Sequence, residues 1–315
     1  MLNPIKKISF VFSCIPLLLV SCTSTVFDES DKLEKVPISF SVPQTVTRAV
    51  VNDGTDLSDF RVWGWRRVSN DATEYFSVFD GEKVTKDSGW NYEGGIRYWN
   101  KGEFYDFYAV HPVYDDVNID NLGNITINNF NCSVIGENAV DLMIAARQNM
   151  NIPQKIDLKF SHELSKVNII VKSEGSDIII KSISLINAGY LGNFSSDTWS
   201  ITSKSTEGVP ATFSKSDIPL NPDGTEVNVF GDMLLLPLSR TDFDSMIKIE
   251  YSYLYNEQSY DSGPKEISLN TATVTSWDKG GNYKYTITIP RLTEELKLDV
   301  RVLPWDKVDN ANVEW

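Results

Sequence analysis

Apolar and polar positions alternate along most of this chain. Ile247, Ile249, Tyr251, Tyr253 and Tyr255 fall on one face, against Lys248, Glu250 and Ser252 on the other. The same holds for Tyr283, Tyr285, Ile287 and Ile289, for Leu296, Leu298, Val300 and Val302, and for Val167, Ile169 and Val171. A period of two puts successive side chains on opposite faces, the mark of a half-buried strand. Turn formers such as Asn221-Pro222-Asp223-Gly224 and Lys279-Gly280-Gly281-Asn282 separate these runs. No amphipathic helical pattern extends beyond about two turns. Many short strands between Gly, Asn, Asp and Pro clusters predict an all-β fold of the β-sandwich kind. Near the N-terminus, Val36, Ile38, Phe40 and Val42 share one predicted strand face, with Pro37, Ser39 and Ser41 on the other. A polar stretch, Gln44 to Arg48, follows directly.

One internal echo bears on domain organisation. WNKGEFYDFYAVHP starts at Trp99 and WDKGGNYKYTITIP at Trp277. Trp, Lys, Gly, Tyr and the closing Pro fall at equal offsets, and Phe107 answers Tyr285. Each segment reads as a glycine turn feeding an aromatic strand. The echo predicts two sandwich domains in tandem, residues 49–158 and 159–315.

The N-terminus adds a targeting signal. Lys6 and Lys7 precede an apolar run from Ile8 to Val20, too short to span a bilayer. Leu19-Val20-Ser21-Cys22 matches a bacterial lipobox, which makes residues 1–21 a signal peptide and Cys22 the lipidated first residue of the exported chain. Acyl chains on Cys22 would tether it to a membrane, since each buried methylene adds about 0.8 kcal/mol. Residues 23–35 are polar and acidic and read as a flexible tether. Of the three cysteines, Cys14 leaves with the signal and Cys22 carries lipid. Cys132 alone remains, so no intramolecular disulfide is expected and the core must hold by packing.

Charge and side-chain chemistry exclude more than they offer. The formal net charge is −14 before the signal is removed, which is unsuited to binding nucleic-acid phosphates. His111 and His162 are the only histidines, and neither sits in an HExxH pattern. Nucleophile-elbow, phosphate-loop and GxGxxG patterns are absent, and no thiol neighbours Cys132 at metal-ligand spacing. The acidic loop Asp116, Asn118, Asp120 resembles a calcium loop. However, Asn121 and Ile127 stand where such a loop needs Gly and a bidentate Glu. Trp63, Trp65, Trp90, Trp99 and Tyr98 either line a carbohydrate platform or fill a two-sheet core, and strand aromatics favour the core. The expectation is a non-enzyme with no metal and no cofactor.

Several segments taken in order resemble the fimbrillins, the subunits of type V pili of anaerobic Gram-negative bacteria. They are the lipobox at Cys22, Thr47-Arg48-Ala49, Tyr98-Trp99 with Tyr105-Asp106-Phe107-Tyr108, and His162-Glu163-Leu164-Ser165-Lys166-Val167. Met233 to Pro237, Trp277 with Tyr283-Lys284-Tyr285, and Pro304-Trp305 complete the set. The resemblance implies two transthyretin-like β-sandwich domains and export as an outer-membrane lipoprotein. It also implies trimming by an arginine-specific surface protease, here between Arg48 and Ala49, and assembly into an extracellular fimbrium with other copies or other pilus subunits. Residues 22–48 are then a propeptide, and the strand of Val36, Ile38, Phe40 and Val42 leaves with it. A vacated apolar groove with unpaired edges needs a replacement of the same alternation. Ala311, Val313 and Trp315 offer one near the C-terminus. Other arginines, such as Arg240 and Arg301, are expected within or beside strands, shielded from cleavage. The rival reading is an anchored surface lipoprotein that binds glycans.

Overall fold

The computed structural model describes residues 35–42, 57–255, 258–291 and 295–305. Among them are strands and two single-turn 3-10 segments, Gly136–Asn138 and Ala211–Phe213, and no α-helix. The fold is all-β, as the alternation predicts.

The strand Phe104–His111 lies near the centre of a six-stranded antiparallel sheet. Its order is Ser161–His162, Met143–Met150, Phe104–His111, Asp59–Arg67, Phe76–Lys86 and Trp90–Tyr92. Phe107 and Ala109 enter one core with Phe60, Val62 and Phe79. Tyr108 and Val110 enter another, with Trp63 and Trp65. Both faces are buried, with Asp106 held inside by its ion pair to Arg67, so FYDFYAVH shows no apolar–polar alternation. In the neighbouring strand the period-two pleat sends Phe60 and Val62 to the first core and Trp63 and Trp65 to the second.

The largest core lies between two further sheets. Ser165–Ser173 pairs in parallel with Asn282–Ile289, which pairs antiparallel with Lys297–Leu303. The facing sheet is built on Ile178–Ile186 and Met246–Tyr255. Val167, Ile169, Val171, Tyr285 and Ile287 from one sheet meet Ile178, Ile180, Ile183, Ile247 and Ile249 from the other. Side chains of period two from both layers thus close a sandwich. Along the edge strand, Leu298 and Val300 are half-buried and Val302 is 55% exposed, the one departure from the expected face.

A four-stranded sheet takes its hairpins from both halves of the chain. Val117–Ile119 and Ile125–Asn131 pair onward to Gly189–Ser195 and Thr198–Lys204. The described residues from Val36 onward accordingly form one compact unit. Within it, one core draws on residues between 38 and 160 and the largest on residues between 167 and 289.

The two echoed segments build the same local device. Asn100 N–H donates to Tyr105 Oη at 2.8 Å, and Asp278 N–H donates to Tyr283 Oη at 2.8 Å. Gly102 at φ +84° and Gly280 at φ +70° make the turns, a conformation that side-chain-bearing residues resist. At the next matched position the cores differ. Trp277 Nε1–H donates to Tyr285 Oη at 3.0 Å, whereas Phe107 has no hydroxyl and the buried Trp99 Nε1 has no partner.

Candidate functional site

Residues 36–42 complete a core made by the rest of the chain. Phe40, 1% exposed, is ringed by Phe60, Phe79, Tyr92 and Phe107, with centroids 5.4–6.0 Å away in edge-on geometry. Ile38 is 2% exposed and Val42 packs half-buried against the same cluster. Polar Ser39 and Ser41 point the other way, half-exposed, which is the alternation expected from sequence. Val36 departs from it at 38% exposure, because it lies at the mouth of the seat, where the core ends.

The backbone is held on both sides. Ile38 N–H donates to Arg97 O at 2.8 Å, and Trp99 N–H donates to Val36 O at 3.0 Å. On the other side the strand Phe40–Ser41 runs parallel to Ile156–Asp157. There Ile156 N–H donates to Ser39 O at 2.9 Å, and Leu158 N–H donates to Ser41 O at 2.8 Å. Tyr92 Oη donates to Ile38 O at 3.0 Å and accepts from Arg97 N–H at 3.1 Å, fixing the wall of the seat. Ser41 Oγ meets the Asp157 carboxylate. Burying Ile38 and Phe40 contributes about 1.5–3 kcal/mol each, and each backbone bond about 1 kcal/mol. Emptying the seat would orphan Arg97 O and the N–H groups of Trp99, Ile156 and Leu158 together.

Cys22, Arg48, Ala49, Ala311, Val313 and Trp315 lie outside the described residues. The last described residue, Trp305, is 8% exposed and belongs to the core shared by both halves. Its ring stacks on His162 at 4.3 Å. His162 Nδ1 lies 2.8 Å from Asp141 Oδ2, so this histidine is held in place as the platform for Trp305. His111 Nδ1 sits 2.6 Å from the Asp59 carbonyl, and its hydrogen bond to the Asp59 side chain holds that carboxyl below the usual carboxylate range.

The remaining candidate groups have structural partners. Cys132 is buried among apolar side chains and its thiol is pushed up to about 12, a state inert to oxidation and exchange. The Asp120 carboxylate accepts from Leu122 N–H, Asn124 N–H and Asn124 Nδ2, closing its own turn instead of waiting for a cation. Among the described residues no group of three or more His, Cys, Asp or Glu is placed to hold a metal ion. Trp63, Trp65 and Trp99 are buried and Trp90 packs on Phe60, so these side chains form no exposed platform; Tyr98 alone of the five is exposed, at 41%.

Two features escape the sequence. Glu163 is buried beside Lys279, and burial raises its carboxyl above the ordinary range while Lys279 opposes the shift. Next to it runs an open groove of about 690 Å³ lined by Trp199, Lys204, Leu238, Asp242 and Lys279. Neither leaves a pattern, because the groups come from segments more than thirty residues apart. One expectation needs correction. Arg301 does lie in a strand, but Arg240 occupies an exposed turn whose Asp242 N–H donates back to Ser239 O at 3.0 Å. The turn signal Ser239-Arg240-Thr241-Asp242 was the clue, and what restrains that backbone is a tight turn, not a sheet.

A fimbrial protein from Bacteroides vulgatus superposes with a TM-score of 0.59 at 18% identity, over 85% of this chain and 99% of its own. Candidate cell adhesion proteins from Parabacteroides distasonis and Bacteroides uniformis superpose at 0.51 and 0.50, with 12% and 17% identity. Each covers 86% of this chain, and 97% and 100% of their own chains are matched. At such identities the likeness is one of fold. No curated protein sequence matches the chain. The family profile described as fimbrillin-like matches residues 47–305, four-fifths of the length and all of the described strands beyond residue 42. The chain belongs to the fimbrillin-like family.

Proposed function

We propose that this protein is the exported lipoprotein precursor of a fimbrial subunit, with a structural and adhesive role at the cell surface. Lipid on Cys22 holds it at the outer membrane, and an arginine-specific protease cuts between Arg48 and Ala49. The segment carrying Val36, Ile38, Phe40 and Val42 then leaves its seat, and a strand from another subunit replaces it. The mature part comprises two transthyretin-like domains, 49–158 and 159–315. The observation that carries this reading is the seat itself. A short N-terminal segment, followed by the polar stretch Gln44 to Arg48, supplies Ile38, Phe40 and Val42 to a core whose other described contributors all lie beyond residue 56.

Side-chain size sets the register of the replacement. Trp315 suits the aromatic ring of walls around Phe40, Val313 takes the place of Ile38, and Ala311 comes to the mouth at Val36. Because giver and receiver surfaces differ, the contact is heterologous and propagates into a fibre. The test is deletion of residues 311–315. The truncated monomer is expected to fold with an unchanged unfolding midpoint. After arginine-specific trimming, mass spectrometry should find a chain starting at Ala49. That chain should receive a strand from full-length partners but give none. Polymerisation as ready as that of the full chain would refute the assignment of Ala311, Val313 and Trp315.

A further inference from the structure

The parallel run of Phe40–Ser41 beside Ile156–Asp157 gives the seat a direction, with Val36 at its mouth and Val42 at its far end. A replacement that keeps this direction is joined to its own body through its N-terminal side. That body therefore lies at the Val36 end. Two large apolar side chains already stand exposed there, Ile96 at 67% and Tyr98 at 41%. They flank Arg97, whose carbonyl accepts the Ile38 N–H, and Tyr98 bridges Pro37. The surface is thus continuous with the seat.

We propose that Ile96 and Tyr98 form a docking face for a second copy of this chain, the copy that gives its strand. The inference rests on the strand-replacement reading above. The occupant follows from the tether. In the giving copy Trp305 is packed in the core, and on the strand-replacement reading Ala311 is the first residue to enter the seat. Six Cα steps separate them, at most about 22 Å of chain. With Ala311 at the position of Val36, the second body cannot stand clear of the mouth. Its nearest described strand, Lys297–Leu303, ends two residues before Trp305 with Val302 exposed, an apolar counterpart for Ile96 and Tyr98. Burying these exposed apolar side chains adds to the anchoring supplied by the strand.

Cross-linking reads the polarity directly, and the inert, buried Cys132 leaves the background low. Chains carrying Lys307→Cys are trimmed after Arg48 and mixed with trimmed chains carrying either Ile96→Cys or Lys159→Cys. Lys159 is exposed and follows Leu158, at the Val42 end. A short bismaleimide is expected to join positions 307 and 96 and to leave 307 and 159 unlinked. Linking at 159 instead would overturn the proposal while strand replacement stands. Failure of any trimmed mixture to assemble would overturn the strand-replacement reading, and the docking face with it. As a second measure, Ile96→Ser, at a position 67% exposed, should keep its monomer unfolding midpoint and receive a strand about tenfold more weakly. Unchanged affinity in that variant would also overturn the docking face.

Discussion

Tyr285 carries more than its share of the larger core. Its hydroxyl accepts from Trp277 Nε1 and donates to Leu269 O at 3.1 Å, so one oxygen satisfies two buried partners. Burial also pushes its ionisation well above the usual tyrosine range, which keeps that hydroxyl a donor at every working pH. Tyr285→Phe keeps the ring and orphans both partners. An unsatisfied buried group costs about 1–3 kcal/mol, so urea unfolding should show a stability lowered by that amount, seen as a lower midpoint at unchanged slope. An unaltered midpoint would mean that water replaces the hydroxyl. The matched position, Phe107, shows how far sequence reading reaches at this scale. Equal spacing of Trp, Gly and Tyr made the shared turn and strand legible. The loss of one hydroxyl between the copies was legible too, but its consequence, an unpartnered Trp99 Nε1, depends on burial that no spacing records.

Among the elements, the segment 36–42 is the one whose alternation most plainly declared its burial, and Ile38, Phe40 and Val42 took the expected face. The parallel pairing with Ile156–Asp157 was not legible, because a two-residue ladder leaves no periodic trace. Nor was the exposure of Val36, which depends on where the body's edge falls. Phe40 provides the means to separate local anchoring from the rest of the fold. In the uncut chain Phe40→Ala opens a cavity at a cost of about 3–5 kcal/mol. After cleavage at Arg48 the same loss falls on the bound segment alone. The variant segment should then leave its seat at least a hundredfold faster than the natural one, a conversion of the lower figure at tenfold per about 1.4 kcal/mol. Native mass spectrometry on the cut protein follows the departure. Equal release rates for the two segments would show that backbone pairing, not Phe40, holds the strand.

For the whole molecule, net charge governs how copies meet. The formal charge of −14 becomes −15 once residues 1–48, with their five basic and four acidic side chains, are gone. Two such bodies repel before any strand can join them, and salt screens that repulsion over about 10 Å at 0.1 M. Assembly of trimmed chains is therefore expected to quicken as sodium chloride rises from about 0.02 to 0.2 M, across which the screening length shortens several-fold. Light scattering measures the rate. A slower rate in higher salt would mean that attraction between local opposite charges outweighs the global sign. The all-β class was readable from alternation over the full chain, and the strand Phe104–His111 from the echo of a glycine turn feeding aromatic residues. The sheet that joins Ile125–Asn131 to Gly189–Ser195 was not, since each strand alone reads like any other.

The seat at residues 36–42 asks little of whatever fills it: two apolar anchors at i and i+2, an extended backbone and the right direction. Nothing in that requirement demands that the occupant be attached to a subunit. A free synthetic peptide carrying Val36-Pro37-Ile38-Ser39-Phe40-Ser41-Val42 would meet it on a trimmed chain and bring no body behind it. Such a peptide is a chain terminator, and fibre length would then be set by its concentration relative to that of the subunits.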